Sequence, residues 1–169
     1  MSDINISGPE GKFSAYIASP KKSNGAGLLI IQEIFGVNKV MRNLCDQYAE
    51  QGFLAVCPDL FWRIERNVQL TDKTEKDWTR ALELMEIFIP DFDKGVADLL
   101  ATIDYIRKIQ EYSSKVGCIG YCLGGSLSYS IACQSDIDAS VGYYPVQIES
   151  SLKYAKQINK PAMFHIAEL

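Results

Sequence analysis

The chain has 169 residues, 47% of them hydrophobic, with 17 basic and 21 acidic side chains and a formal charge of -4. That is enough chain and enough apolar content for one sizeable core in a single domain, 1–169, and it excludes a disordered segment. The charges are interleaved, so no basic stripe exists to track a phosphate backbone, and nucleic acid is excluded as a partner.

Residues Met1 to Pro9 carry neither a basic n-region nor an apolar h-region. No later apolar run approaches the roughly 20 residues of a membrane-spanning helix, so a cytoplasmic protein with no membrane partner is expected. The five cysteines (Cys45, Cys57, Cys118, Cys122, Cys133) lack CxxC spacing, and three sit in apolar surroundings. Neither a disulfide framework nor a metal site is indicated.

In chain order, Lys12 to Ala18 alternates, with Phe13, Ala15 and Ile17 on one side, and reads as a half-buried strand near a sheet edge. Leu28–Ile31, Phe53–Cys57, Val116–Ile119, Ala139–Tyr143 and Ala162–Phe164 are short apolar runs of the kind covered on both faces, hence central parallel strands. Between the first two, Asn38 can cap a helix with an apolar face of Met41, Leu44, Cys45 and Tyr48, and Gly52 lies where it would stop.

Leu60 to Ile89, with Trp62, Arg63, Arg66, Trp78 and Arg80, is a long excursion that reads as a lid or pocket wall. Val96, Leu99, Leu100, Ile103 and Ile106 then recur at helical spacing, and Leu123–Cys133 and Ser150–Ile158 supply shorter helices. Repeated βαβ units predict an α/β, doubly wound, mostly parallel sheet. Pro161 to Leu169 reads as a strand running into its exit loop, so the fold is expected to be C-terminally incomplete in this chain.

The strongest chemical signal is Gly120-Tyr121-Cys122-Leu123-Gly124, a GxCxG pentapeptide between a strand and a helix. This is the context of a nucleophile elbow, where glycines two residues either side let strand and helix approach around a strained residue. Cys122 would project into the crevice at the sheet's carboxyl edge. The helix N-terminus is expected to lower its pKa, and the Leu123 N–H is placed to stabilise an oxyanion.

On the other rim, Glu33 follows the first central strand; a carboxylate near a thiol can act as its base, and the Ile34 N–H would be the second oxyanion donor. Taken singly, Cys122 reads also as a buried structural thiol and Glu33 as a solvated loop acid. Their pairing across one crevice is what points to acyl transfer.

QEIFGVNKVMR at 32–42, GFLAVCPDLF at 52–61, KVGCIGYCLGGSL at 115–127 and VGYYPV at 141–146 resemble, in the same order, the dienelactone hydrolase family of the α/β-hydrolase fold. The resemblance implies hydrolysis of a small lactone or enol ester through a Cys, Asp, His triad assisted by a glutamate matching Glu33, with dienelactone opened to maleylacetate and no metal or organic cofactor. It also implies an arginine that holds an anionic substrate's carboxylate, and Arg80 falls at that place. Arg80 reads equally as a solvated helix residue between Glu75 and Glu83.

Leu84 stands where the family often has tyrosine and Pro145 where glycine is frequent, which leaves room for a broader carboxylesterase or thioesterase. A noncatalytic binding protein on the same shell is the remaining alternative. The triad acid is expected just after Leu169 and the histidine some thirty residues later. Glu168 reads as a neighbour of that acid, and His165, the only histidine, as a satisfied core residue. A monomer or weak homo-oligomer is expected.

Overall fold

The computed structural model describes residues 2–112 and 114–167. In chain order the elements are β1 (Ser2–Gly8), β2 (Gly11–Ala18), β3 (Gly27–Ile31), α1 (Lys39–Glu50), β4 (Leu54–Pro58), α2 (Glu75–Phe88), α3 (Phe92–Lys108), β5 (Val116–Tyr121), α4 (Leu123–Gln134), β6 (Ala139–Tyr143) and β7 (Ala162–His165). They build one sheet of order β1-β2-β4-β3-β5-β6-β7, antiparallel through β1, β2 and β4 and parallel from there on.

Leu29 and Ile31 of β3 enter the core under α2, α3 and α4, while Leu28 and Ile30 enter the smaller one under α1. Both faces of β3 and β4 are therefore covered, which is why their sequences are unbroken apolar runs rather than alternating ones. In α1 the Asn38 side chain accepts from the Val40 and Met41 N–H groups, and Met41, Cys45 and Ala49 turn inward at four-residue spacing.

β2 lies near the sheet edge as expected, second in order, with β1 paired to it along its whole length. In the 60–89 excursion, α2 fills the second half and buries Ala81, Leu84 and Phe88. Three expectations are corrected. The expected helix at 150–158 is a 3-10 segment, Ile148–Gln157. β7 is the last strand of the sheet among the described residues, with Ala162, Met163 and His165 exposed rather than central. His165 is thus no core histidine; its ring stacks on Tyr143 with centroids 4.6 Å apart.

The first half of the excursion is pinned to α3. Asp98, fully buried, receives the Arg63 guanidinium at 2.5 and 3.1 Å and the Trp62 indole N–H at 2.8 Å. Arg63 also stacks over the Trp62 ring and donates to Glu10 at 2.7 Å. A buried carboxylate is tolerated only when it is paired and hydrogen-bonded in this way.

Among the described residues no helix is long and apolar enough to cross a membrane.

Candidate active site

The chain leaves β3 to form β4 on one side, then crosses back to form β5 on the other side of β3. Strand order reverses between β3 and β5, and the loops leaving their carboxyl ends diverge there to open a crevice. Glu33 follows β3 and Cys122 follows β5, so the topology delivers both to one place.

Cys122 has φ 54° and ψ -115°, a left-handed backbone that a non-glycine residue adopts only under strain. Two glycines make the corner possible. A Cβ on Gly120 would lie 1.9 Å from the Gly124 carbonyl oxygen, and one on Gly124 would lie 2.4 Å from that of Ile31. Hydrogen bonds hold the turn: Cys122 N–H donates to the Tyr143 carbonyl at 3.0 Å, and the Cys122 carbonyl accepts from Gly125 at 2.9 Å and Ser126 at 3.3 Å.

The loop carrying Glu33 and Ile34 is fastened at both ends. The buried Gln32 side chain accepts from the Leu60 N–H at 3.1 Å and donates to the Glu33 carbonyl at 3.3 Å. Farther on, the Phe35 carbonyl accepts from Leu70, and the Phe35 ring meets Trp78 of α2 edge-on at 4.9 Å.

Three groups converge on the half-buried sulfur. The Leu123 N–H donates to it and Glu33 lies close enough to repel its negative form, but burial has the largest effect, and the net result is a thiol pKa pushed up. This corrects the expectation that the helix N-terminus would lower it: that contribution is present but is outweighed by desolvation.

Tyr144 is the third group, and sequence reasoning gave it no role. Its hydroxyl donates to Glu33 Oε1 at 3.0 Å, its N–H donates to the His165 carbonyl at 2.8 Å, and its backbone sits at φ 39°. Burial, then the Glu33 carboxylate, push its own pKa up, so the hydroxyl keeps its proton and remains a donor. The available signal was positional: Tyr144 directly follows β6, beside β5, at the same carboxyl edge.

The structure thus brings together Cys122, Glu33, Leu123 and Tyr144, with Ile34 buried in the Glu33 loop. Arg80 is engaged elsewhere, paired with Glu65 at 2.7 Å and Glu83 at 2.9 Å. His165 contributes its backbone carbonyl alone to this cluster. Glu168 lies outside the described residues, and the acid and histidine expected after Leu169 lie outside the sequence. Among the described residues no three potential ligands gather where they could hold a metal ion.

A relative from Azospirillum brasilense is 47% identical over 99% of this chain and 72% of its own length. A carboxymethylenebutenolidase of Pseudomonas putida is 40% identical over 96% of this chain and 69% of its own. A solved α/β-hydrolase structure from Klebsiella pneumoniae, 19% identical, superposes with a TM-score of 0.75 over 99% of this chain and 84% of that one, a likeness of fold. Residues 13–169 match the dienelactone hydrolase family, a family of hydrolases, and the chain belongs to it.

Proposed function

We propose that the protein hydrolyses a carboxylic ester or lactone, of the kind carboxymethylenebutenolidases act on, through covalent catalysis at Cys122. The observation that carries this reading is the strained elbow, which holds one sulfur against the Leu123 N–H on one side and the Glu33 carboxylate on the other.

The thiol rests protonated, because burial and Glu33 both disfavour the thiolate. In attack, Sγ bonds to the carbonyl carbon as its proton passes toward Glu33, the nearby carboxylate. The thiolate then never has to accumulate beside a like charge. Negative charge on the carbonyl oxygen is met by the Leu123 and Ile34 N–H groups.

The C–O bond breaks, the alcohol or enol leaves with a proton, and water hydrolyses the thioester to release the acid and restore the thiol. Tyr144 fixes the Glu33 carboxylate by donating to Oε1, which leaves Oε2 as the oxygen free of that bond to take the proton.

The substrate is a small molecule. Binding an anionic one through Arg80 would require the guanidinium to exchange Glu65 or Glu83 for the substrate carboxylate, two pairings of similar kind. Five free thiols, four of them buried, suit the reducing cytoplasm.

The test is Cys122→Ala with a chromogenic ester. Turnover is expected to fall at least a thousandfold while the far-UV circular dichroism stays unchanged. Retention of a tenth or more of the activity would remove Cys122 from the mechanism.

A further inference from the structure

Between the end of β3 and Glu33 stands a fully buried glutamine. An amide taken out of water is costly unless it is hydrogen-bonded, and Gln32 carries two bonds of opposite kind. Its Oε1 accepts from the Leu60 N–H at 3.1 Å, and its Nε2 donates to the Glu33 carbonyl at 3.3 Å. Reversing the amide would set donor against donor and acceptor against acceptor, so the two partners fix its orientation.

Both ends of this bridge are confined. Leu60 is buried, and beside it the Asp59 N–H donates to the Ser14 carbonyl at 2.9 Å while the Asp59 carboxylate accepts from the Phe61 N–H at 3.0 Å and the Asn67 N–H at 2.9 Å. At the other end the Gln32 backbone lies against the elbow, since a Cβ on Gly124 would stand 2.6 Å from the Gln32 carbonyl oxygen.

The Glu33 carbonyl and the Ile34 N–H belong to one peptide unit. That unit is planar and trans, so its C=O and N–H point in opposite directions, and whatever fixes the carbonyl aims the N–H. The Glu33 carboxylate has a fastener of its own in the Tyr144 hydroxyl. The proton acceptor and the second oxyanion donor are therefore held by separate hydrogen bonds.

We propose that Gln32 is a positioning residue for the reaction at Cys122: its amide orients the Glu33–Ile34 peptide so that the Ile34 N–H meets the oxyanion. This inference rests on the proposed nucleophilic role of Cys122 and donor role of Ile34. A donor aimed in advance stabilises developing charge without reorganising during the reaction. Acyl transfer to sulfur and hydrolysis of the thioester both pass through an oxyanion at the same position. Loss of the aim slows the two steps alike, which lowers kcat and leaves KM nearly unchanged.

The experiment measures p-nitrophenyl acetate hydrolysis by Gln32→Met and Gln32→Glu, with Cys122→Ala as the background. Methionine approximates the size of glutamine without its amide. In Gln32→Met, kcat is expected to fall roughly tenfold to a hundredfold, short of the loss on deleting an oxyanion donor outright, with KM within about twofold. The pH midpoint for alkylation of Cys122 by iodoacetamide is expected to stay where it is, because Tyr144 still holds Glu33. Gln32→Glu keeps an oxygen for the Leu60 N–H but, when ionised, turns an acceptor toward the Glu33 carbonyl; protonated, it donates there again. Its kcat is expected to exceed that of Gln32→Met by at least about fivefold near pH 5.5, a comparison in which the titration of groups common to both variants cancels.

A kcat for Gln32→Met within about threefold of the unsubstituted protein, a loss carried by KM alone, or a moved alkylation midpoint would overturn the role of Gln32 and leave the nucleophile standing. Equal rates for the two variants at every pH would do the same. Should Gln32→Met not fold, Gln32→Glu measured against the unsubstituted protein carries the test, and a ratio that is low and independent of pH would overturn it. Absence of Cys122-dependent hydrolysis in the unsubstituted protein would overturn both readings.

Discussion

Two opposing influences meet at the sulfur of Cys122: the Leu123 N–H favours the thiolate, while burial and the Glu33 charge favour the thiol and prevail. The sign follows directly. Reactivity toward iodoacetamide, which needs thiolate, is expected to be low at neutral pH and to rise through a midpoint above the ordinary thiol value of about 8.5. Glu33→Gln removes the repulsion and should move that midpoint to lower pH, even as ester turnover falls for want of a proton acceptor. An unmoved midpoint would mean that Glu33 does not face the sulfur.

At this scale the elbow was legible because its constraint is steric, and only glycine satisfies it at 120 and 124. Tyr144 was not legible. A tyrosine in a loop carries no periodicity, and its role depends on a hydrogen bond to a residue 111 positions away. His165 has apolar neighbours in sequence that suggest burial, whereas β7 presents it at the surface.

Among the elements, the apolar runs of β3 and β4 were readable since strands covered on both faces leave an unmistakable pattern. β1 was not: SDINISG offers Ile4 and Ile6 alone, and its strand state comes from pairing with β2. α2 was obscured by its place in a long excursion, although Ala81, Leu84 and Phe88 carry helical spacing.

What ties that excursion to the core is Arg63 on Asp98. Arg63→Ala would leave a fully buried carboxylate with the Trp62 indole as its remaining side-chain donor, and is expected to lower the unfolding free energy by about 3–5 kcal/mol in urea titration. A loss below about 1 kcal/mol would show that the pairing is replaced by solvent.

Across the whole molecule, the reversal of strand order between β3 and β5 sets residues 33 and 122 side by side. Strand runs alone predict a doubly wound sheet without its order. The order follows from right-handed crossovers, with α1 on one face and α3 and α4 on the other. The chemistry then depends on whether the corner after β5 delivers a nucleophile or a structural thiol.

Intact-mass spectrometry of protein quenched in acid during turnover of a p-nitrophenyl ester decides between them. An acyl adduct that maps to the peptide containing Cys122 and is released by hydroxylamine is the predicted result. Turnover with the thiol unmodified throughout, or an adduct on another residue, would contradict it.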